Sequence, residues 1–221
     1  MDKINFFEKV KINNFNHFIS LNSSSNDLEF SRPAIFLDRD GVIIDDVNYI
    51  SDPKDVKILS GIKELLSFSK SFGWANIVIT NQSGIGRGFY TWEDYEKVTH
   101  HMLEMLGRPC NIDGIYANSN KPTDDLEKES WRKPNPNMIM EAVIEFNLNL
   151  EESIIIGDRL TDILSGYKSG LKKYVHVLTG HGRKERQNVL RFFSKSNKNN
   201  ILHTLDDLSC FPLDDLIYKV T

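Results

Sequence analysis

The chain has 221 residues, 40% hydrophobic and 26% charged, which suits a single globular domain with a good core and leaves room for little more than a small appendage. A formal charge of −4 provides no basic field for nucleic acid and no acidic tail. No apolar run approaches membrane-spanning length, Asp2, Lys3, Glu8 and Lys9 are unlike the start of a secretory leader, and Cys110 and Cys210 lie far apart without metal-binding spacing. A cytoplasmic monomer with two reduced, packed thiols and no nucleic-acid or membrane partner is therefore the starting expectation.

Residues 1–32 form an N-terminal extension in which Leu21-Asn22-Ser23-Ser24-Ser25-Asn26-Asp27 reads as a loop. Phe6, Phe7, Phe15 and Phe18 make the extension too apolar for a free tail, so it is expected to pack on the domain, residues 33–221, or on a partner. Ala34-Ile35-Phe36-Leu37 is a buried strand that runs out into Asp38-Arg39-Asp40-Gly41. Residues 45–53 are polar and turn-rich, a short flap beside the strand end. Ser60 caps a helix with apolar residues at 62, 65, 66 and 68, and Gly73 follows its end.

Ala75 to Thr80 is the next strand, leading into the glycine-rich loop Asn81-Gln82-Ser83-Gly84-Ile85-Gly86-Arg87-Gly88. Thr91 with Asp94 starts a second helix, striped by Tyr95, Val98, Met102, Leu103 and Leu106. A third strand spans Ile112 to Ala117. A polar loop then reaches Trp131-Arg132-Lys133-Pro134-Asn135-Pro136, where Pro136 opens a helix. Ser153 to Ile156 is a fourth strand ending at Gly157-Asp158, a helix covers about 160 to 169 with Gly170 closing it, and Tyr174 to Leu178 is a fifth strand. Beyond 180, a surface helix, an edge strand near Ile201 to His203 and a terminal helix from about 212 are expected.

Strands alternating with helices predict an α/β fold, a doubly wound (Rossmann-like) parallel sheet with helices on both faces. The polar clusters after the first, second and fourth strands then share one sheet edge, the one at which such sheets bind ligands. Two carboxylates as close as Asp38 and Asp40 repel unless a proton or cation is shared, and oxygen ligands suit a hard ion such as Mg²⁺. Taken singly, each cluster also has an ordinary explanation. Asp158 and Asp162 decorate a helix start, residues 83–88 make a turn, and Lys133 is a loop charge.

Asp38-Arg39-Asp40-Gly41-Val42, Thr80-Asn81, Lys133, and Gly157-Asp158 with Asp162 resemble the four motifs of the haloacid dehalogenase (HAD) superfamily in their usual order. Residues 80–88 and Arg132-Lys133-Pro134 are similar to its heptose-bisphosphate and histidinol-phosphate phosphatase branch. The resemblance implies a Mg²⁺-dependent phosphatase without a large cap domain, acting on a small phosphorylated metabolite. Heptose 1,7-bisphosphate is the expected substrate, histidinol phosphate the alternative within the class, and a non-catalytic binding protein on the same fold the alternative outside it. It implies Asp38 as nucleophile, Asp40 as general acid and base, and Thr80 and Lys133 as phosphoryl-binding groups. Asp38, Asp40 and Asp158 would be metal ligands, with contact between Asp162 and the ion left open. Asp46, Asn48, Tyr49, Asn81, Gln82, Ser83, Arg132 and Arg159 would bind substrate. Relatives carry a zinc loop of three cysteines and a histidine before Arg-Lys-Pro. Here residues 117–131 contain neither residue type, so no zinc is expected and packing, with Trp131, has to hold the loop.

Overall fold

The computed structural model describes residues 9–12, 16–20, 31–124, 130–196, 199–218 and 220. Its strands are β1 (Lys9–Ile12), β2 (Asn16–Ser20), β3 (Ala34–Leu37), β4 (Ala75–Asn81), β5 (Gly114–Asn118), β6 (Ile154–Gly157), β7 (Lys173–Val177) and β8 (Ile201–Leu205), in one eight-stranded sheet of order β1-β2-β5-β4-β3-β6-β7-β8. From β5 through β8 every pairing is parallel, and β2 and β1 are added antiparallel at one side. The helices are α1 (Ile62–Ser71), α2 (Ser83–Gly86), α3 (Trp92–Leu106), α4 (Asn137–Phe146), α5 (Leu160–Ser169), α6 (Gly182–Phe193) and α7 (Leu213–Leu216). This is the expected doubly wound α/β architecture. Among the described residues no inserted cap domain covers the sheet edge, and no helix is long and apolar enough to cross a membrane.

The apolar strand runs follow from burial on both faces. Alternation along β3 sends Ile35 and Leu37 into a core with Leu65 and Leu66 of α1 and Val98 and Met102 of α3. Ala34 and Phe36 enter the opposite core, with Met138, Ile139 and Phe146 of α4, Ile163 of α5 and Val189 of α6. The chain builds β4 and β5 to one side of β3 and then β6, β7 and β8 to the other. The crevice at this reversal opens at the carboxyl ends of β3 and β6.

Several local expectations need correction. The N-cap of α1 is Gly61 at φ +79°, not Ser60, because a Cβ at Gly61 would lie 2.3 Å from the carbonyl oxygen of Leu208 in the C-terminal segment. By contrast Thr91 and Asp94 form the full capping box of α3. The terminal helix shrinks to the single turn α7, and Cys210 is exposed, while Cys110 is half-buried against the core. The N-terminal strands were not anticipated. Asn16 and His17 of β2 pair with Asn118 and Ala117 of β5, and His17 is buried against Trp92 and Tyr95 of α3. Phe6, Phe7 and Phe15 lie outside the described residues.

Candidate active site

Three neighbouring strand ends supply the polar groups. Asp38 follows β3, Thr80 and Asn81 close β4, and Asp158 follows β6. Lys133 arrives from the loop before α4, 1% exposed, and its ammonium donates to the Ile79 carbonyl at 2.9 Å and pairs with Asp38 Oδ1 at 2.9 Å and Asp162 Oδ1 at 2.7 Å. Asn81 docks that loop, accepting from the Lys133 backbone N–H at 2.9 Å and donating to its carbonyl at 3.0 Å.

Carboxylate oxygens of Asp38, Asp158 and Asp162 lie within 4.8 Å of one another, and all three residues are buried. One buried ammonium faces three carboxyl groups, so the cluster carries excess negative charge. Burial pushes the Asp38 carboxyl up to about 7 against the pull of Lys133, and the charges of Asp162 and Asp40 push the same way. Asp158 is pushed up to about 8, by burial first and then by Asp162 and Asp38. Its Oδ2 accepts from the backbone N–H of His181 at 2.6 Å, while its Oδ1 is buried with no protein partner. A Cβ on Gly41 or Gly180 would approach Asp158 Oδ2 to 2.6 or 2.3 Å, so both turns need glycine to close around it. An orphaned oxygen beside surplus carboxylates fits a hard divalent cation with oxygen ligands. Asp162 is already engaged, by Lys133 at Oδ1 and by the Arg159 backbone N–H at Oδ2, 2.9 Å away.

Above this cluster lies a cavity of about 430 Å³, lined by Asp38, Asp40, Asp46, Asn48, Tyr49, Asn81, Gln82, Ser83, Arg132, Lys133 and Arg159 from the sequence expectation. Thr80 and Asp158 sit beneath it, fully buried. The lining also includes Arg39, Arg87, Tyr90, Thr161, Asp162, His181 and Glu185, of which only Asp162 had been singled out. The omitted signal for His181 was its place just after β7, on the same edge as the motifs. Its Nε2 meets Asp46 Oδ2 at 2.9 Å, so one residue ties the flap to the Asp158 loop. Arg159, 46% exposed at its side chain and 3.6 Å from Asp46, adds a solvent-screened contact.

In the flap, Asn48 and Tyr49 have φ of +56° and +57°, a conformation that costs a non-glycine residue about 1–3 kcal/mol. Asn48 N–H bonds Asp46 Oδ1 at 3.0 Å, and Tyr49 stands edge-on to the exposed Phe89 at 4.9 Å. Across the mouth, Arg132 donates from Nη1 to the Asn120 carbonyl at 2.8 Å, and Ser130 Oγ accepts from Asn120 Nδ2 and from the Arg132 N–H, each at 3.2 Å. Trp131 packs on Tyr116 at 5.5 Å. These contacts clasp the two ends of the loop, while residues 125–129 within it lie outside the described residues.

Comparison with known proteins agrees with this geometry. A HAD-hydrolase-like family model matches residues 130–208. The chain is 42% identical over 141 residues to the D-glycero-beta-D-manno-heptose-1,7-bisphosphate 7-phosphatase of Helicobacter pylori (strain ATCC 700392 / 26695), covering 63% of this chain and 80% of that protein. It is 39% identical to the corresponding alpha-named 7-phosphatase of Burkholderia mallei, covering 62% and 76%. Among solved structures, a HAD-like phosphatase from Mesorhizobium loti superposes with TM-score 0.73 at 27% identity over 91% of both chains. The D,D-heptose 1,7-bisphosphate phosphatase of B. bronchiseptica, crystallised with magnesium and phosphate, shares the fold with TM-score 0.70 at 24% identity, covering 83% of this chain and 97% of that one.

Proposed function

The chain belongs to the HAD-like phosphatases and groups with the heptose-1,7-bisphosphate 7-phosphatases, and from that premise we propose that it hydrolyses a phosphomonoester of a heptose bisphosphate through an aspartyl-phosphate. The observation that carries the proposal is the buried set Asp38, Lys133, Asp158 and Asp162 at the floor of an open polar cavity. A phosphatase that removes one phosphate of two also needs cations away from the reacting group. Arg87, Arg132 and Arg159 line the same cavity.

In the proposed mechanism Asp38 attacks phosphorus and takes the phosphoryl group, and the sugar oxygen leaves with a proton from the Asp40 carboxyl. Asp40, now ionised, then removes a proton from water, which attacks the aspartyl-phosphate. This releases phosphate and restores both carboxyl groups. Lys133 holds Asp38 in place and offers positive charge to the phosphoryl oxygens, and Thr80 offers its hydroxyl. Asp38, Asp158 and the Asp40 carbonyl would hold Mg²⁺, which when bound neutralises charge on the phosphoryl group. Asp162 serves as the second ion-pair partner of Lys133, 2.7 Å away. Zinc is not proposed, because residues 117–131 contain no Cys or His to hold it.

The test is phosphate release with Mg²⁺ from a panel of both anomers of heptose 1,7-bisphosphate, fructose 1,6-bisphosphate and histidinol phosphate, with Asp38→Asn as control. Preference for heptose bisphosphate, lost in Asp38→Asn, is expected. Preference for histidinol phosphate would overturn the substrate, and activity retained in Asp38→Asn would overturn the nucleophile.

A further inference from the structure

Gln82 lines the cavity floor but has no free amide group to offer a substrate. It is 2% exposed and makes four hydrogen bonds. Its Oε1 accepts from Arg39 Nη2 at 3.0 Å and from the Tyr90 hydroxyl at 2.6 Å. Its Nε2 donates to Asp40 Oδ2 at 2.8 Å and to Thr80 Oγ1 at 2.7 Å. Two lone pairs and two hydrogens are a primary amide's full complement. The orientation is dictated by chemistry, because a guanidinium only donates and the amide face toward Arg39 must be the oxygen. The nitrogen therefore faces Asp40 and Thr80.

Two consequences follow for the reacting groups. The Asp40 carboxyl receives Gln82 at Oδ2 and the Arg39 fork at both oxygens, 3.0 to 3.3 Å away, so its rotation is pinned. Thr80, accepting from Gln82, keeps its own hydroxyl hydrogen to donate. Arg39 is an expensive support for this arrangement. It is 1% exposed, lies over the Tyr95 ring at 5.0 Å, and leaves Nη1 buried without a partner, which stability alone does not favour.

We propose that Gln82, oriented by Tyr90 and Arg39, is a positioning residue that sets the Asp40 carboxyl for proton transfer to the leaving oxygen and turns the Thr80 hydroxyl into a donor for the phosphoryl group. The proposal rests on the general-acid role given to Asp40 above, and its test separates the two.

The experiment compares kcat/KM, which reports transfer to Asp38 and not the later hydrolysis common to both esters, on 4-nitrophenyl phosphate, whose phenolate leaves without a proton, and on the best alkyl phosphate of the panel, whose alkoxide does not. Gln82→Met removes all four hydrogen bonds at similar side-chain length, Tyr90→Phe removes only the orienting hydroxyl, and Asp40→Asn is the reference. Loss of a general acid costs about 10²–10⁴-fold. Gln82→Met is expected to lower kcat/KM about 10²-fold more on the alkyl ester than on the nitrophenyl ester, and Tyr90→Phe to move the ratio the same way by less. In the Asp40→Asn background, Gln82→Met should add no further selectivity. An unselective Asp40→Asn would overturn the general-acid role and the positioning role with it. A selective Asp40→Asn beside unselective Gln82→Met and Tyr90→Phe would overturn the positioning role by itself. Should Gln82→Met fail to fold, Tyr90→Phe decides on the same ratio.

Discussion

Replacing Lys133 with Met keeps much of the side-chain volume and removes the ammonium from between Asp38 and Asp162. The side chains of Lys133, Asp38 and Asp162 are 1%, 9% and 0% exposed, so water screens little of the lost interaction. Removing one partner of a buried ion pair costs about 3–5 kcal/mol, because the remaining charge stays buried. With a urea slope of about 2 kcal/mol/M, the unfolding midpoint should fall by about 1.5–2.5 M. The pH dependence has a definite sign. Asp38 already titrates at about 7 in the fold against 3.8 for its ordinary value, and loss of Lys133, which holds it down, moves it higher. Across that window the folded variant binds a proton that the unfolded chain does not, so the penalty is greatest at pH 8 and shrinks toward pH 5. Urea unfolding followed by circular dichroism, with chelator present and at both pH values, measures this directly. A loss below about 1 kcal/mol at pH 8, the range of exposed pairs, would refute the reasoning, as would a penalty that grows in acid. Adding Asp162→Asn to Lys133→Met should recover part of the loss, since one orphaned charge is then gone.

The remaining predictions concern other parts of the molecule. Burial outweighs Glu96, 2.8 Å away, and holds His17 below 6.5, so the unfolded chain binds a proton there that the fold resists. Stability should therefore fall as pH drops through 6.5, and His17→Gln should show a smaller fall between pH 7.5 and 5.5; equal falls would contradict the buried imidazole. Chelator should stop hydrolysis until Mg²⁺ is restored, and Mg²⁺ should raise the melting temperature of the wild type but not of Asp158→Asn; a melting temperature indifferent to Mg²⁺ would remove Asp158 as a ligand. A Cβ on Gly157 would lie 2.3 Å from Asp162 Cβ, so Gly157→Ala should displace Asp162 from Lys133 and lower kcat in folded protein, and a wild-type rate would refute that.

Much of the architecture was legible because it is local in origin. A strand buried on both faces has to be apolar throughout, so β3, β4 and β6 stood out as runs, and the polar residues that ended them marked one sheet edge. The capping box at Thr91 and the left-handed closing glycine at 170 need only neighbouring residues. The strands of the extension were hidden because β1 and β2 acquire their order from pairing with each other and with β5, about a hundred residues away. Gly61 as the cap of α1 was hidden for the same reason, since its constraint comes from Leu208.

The residue types at the strand ends, their order and the missing zinc ligands were thus determined by the sequence alone, because strand alternation and motif spacing are one-dimensional properties. Only the tertiary structure decided how those groups are shared. It placed Lys133 between Asp38 and Asp162 and left Asp158 Oδ1 without a protein partner. It also brought His181 from beyond β7 onto both Asp158 and the flap, and set the Gln82 amide against Asp40 and Thr80. A hydrogen bond depends on distances of a few tenths of an ångström between groups that different strand ends and loops bring together. Such distances exist only once both faces of the sheet are packed.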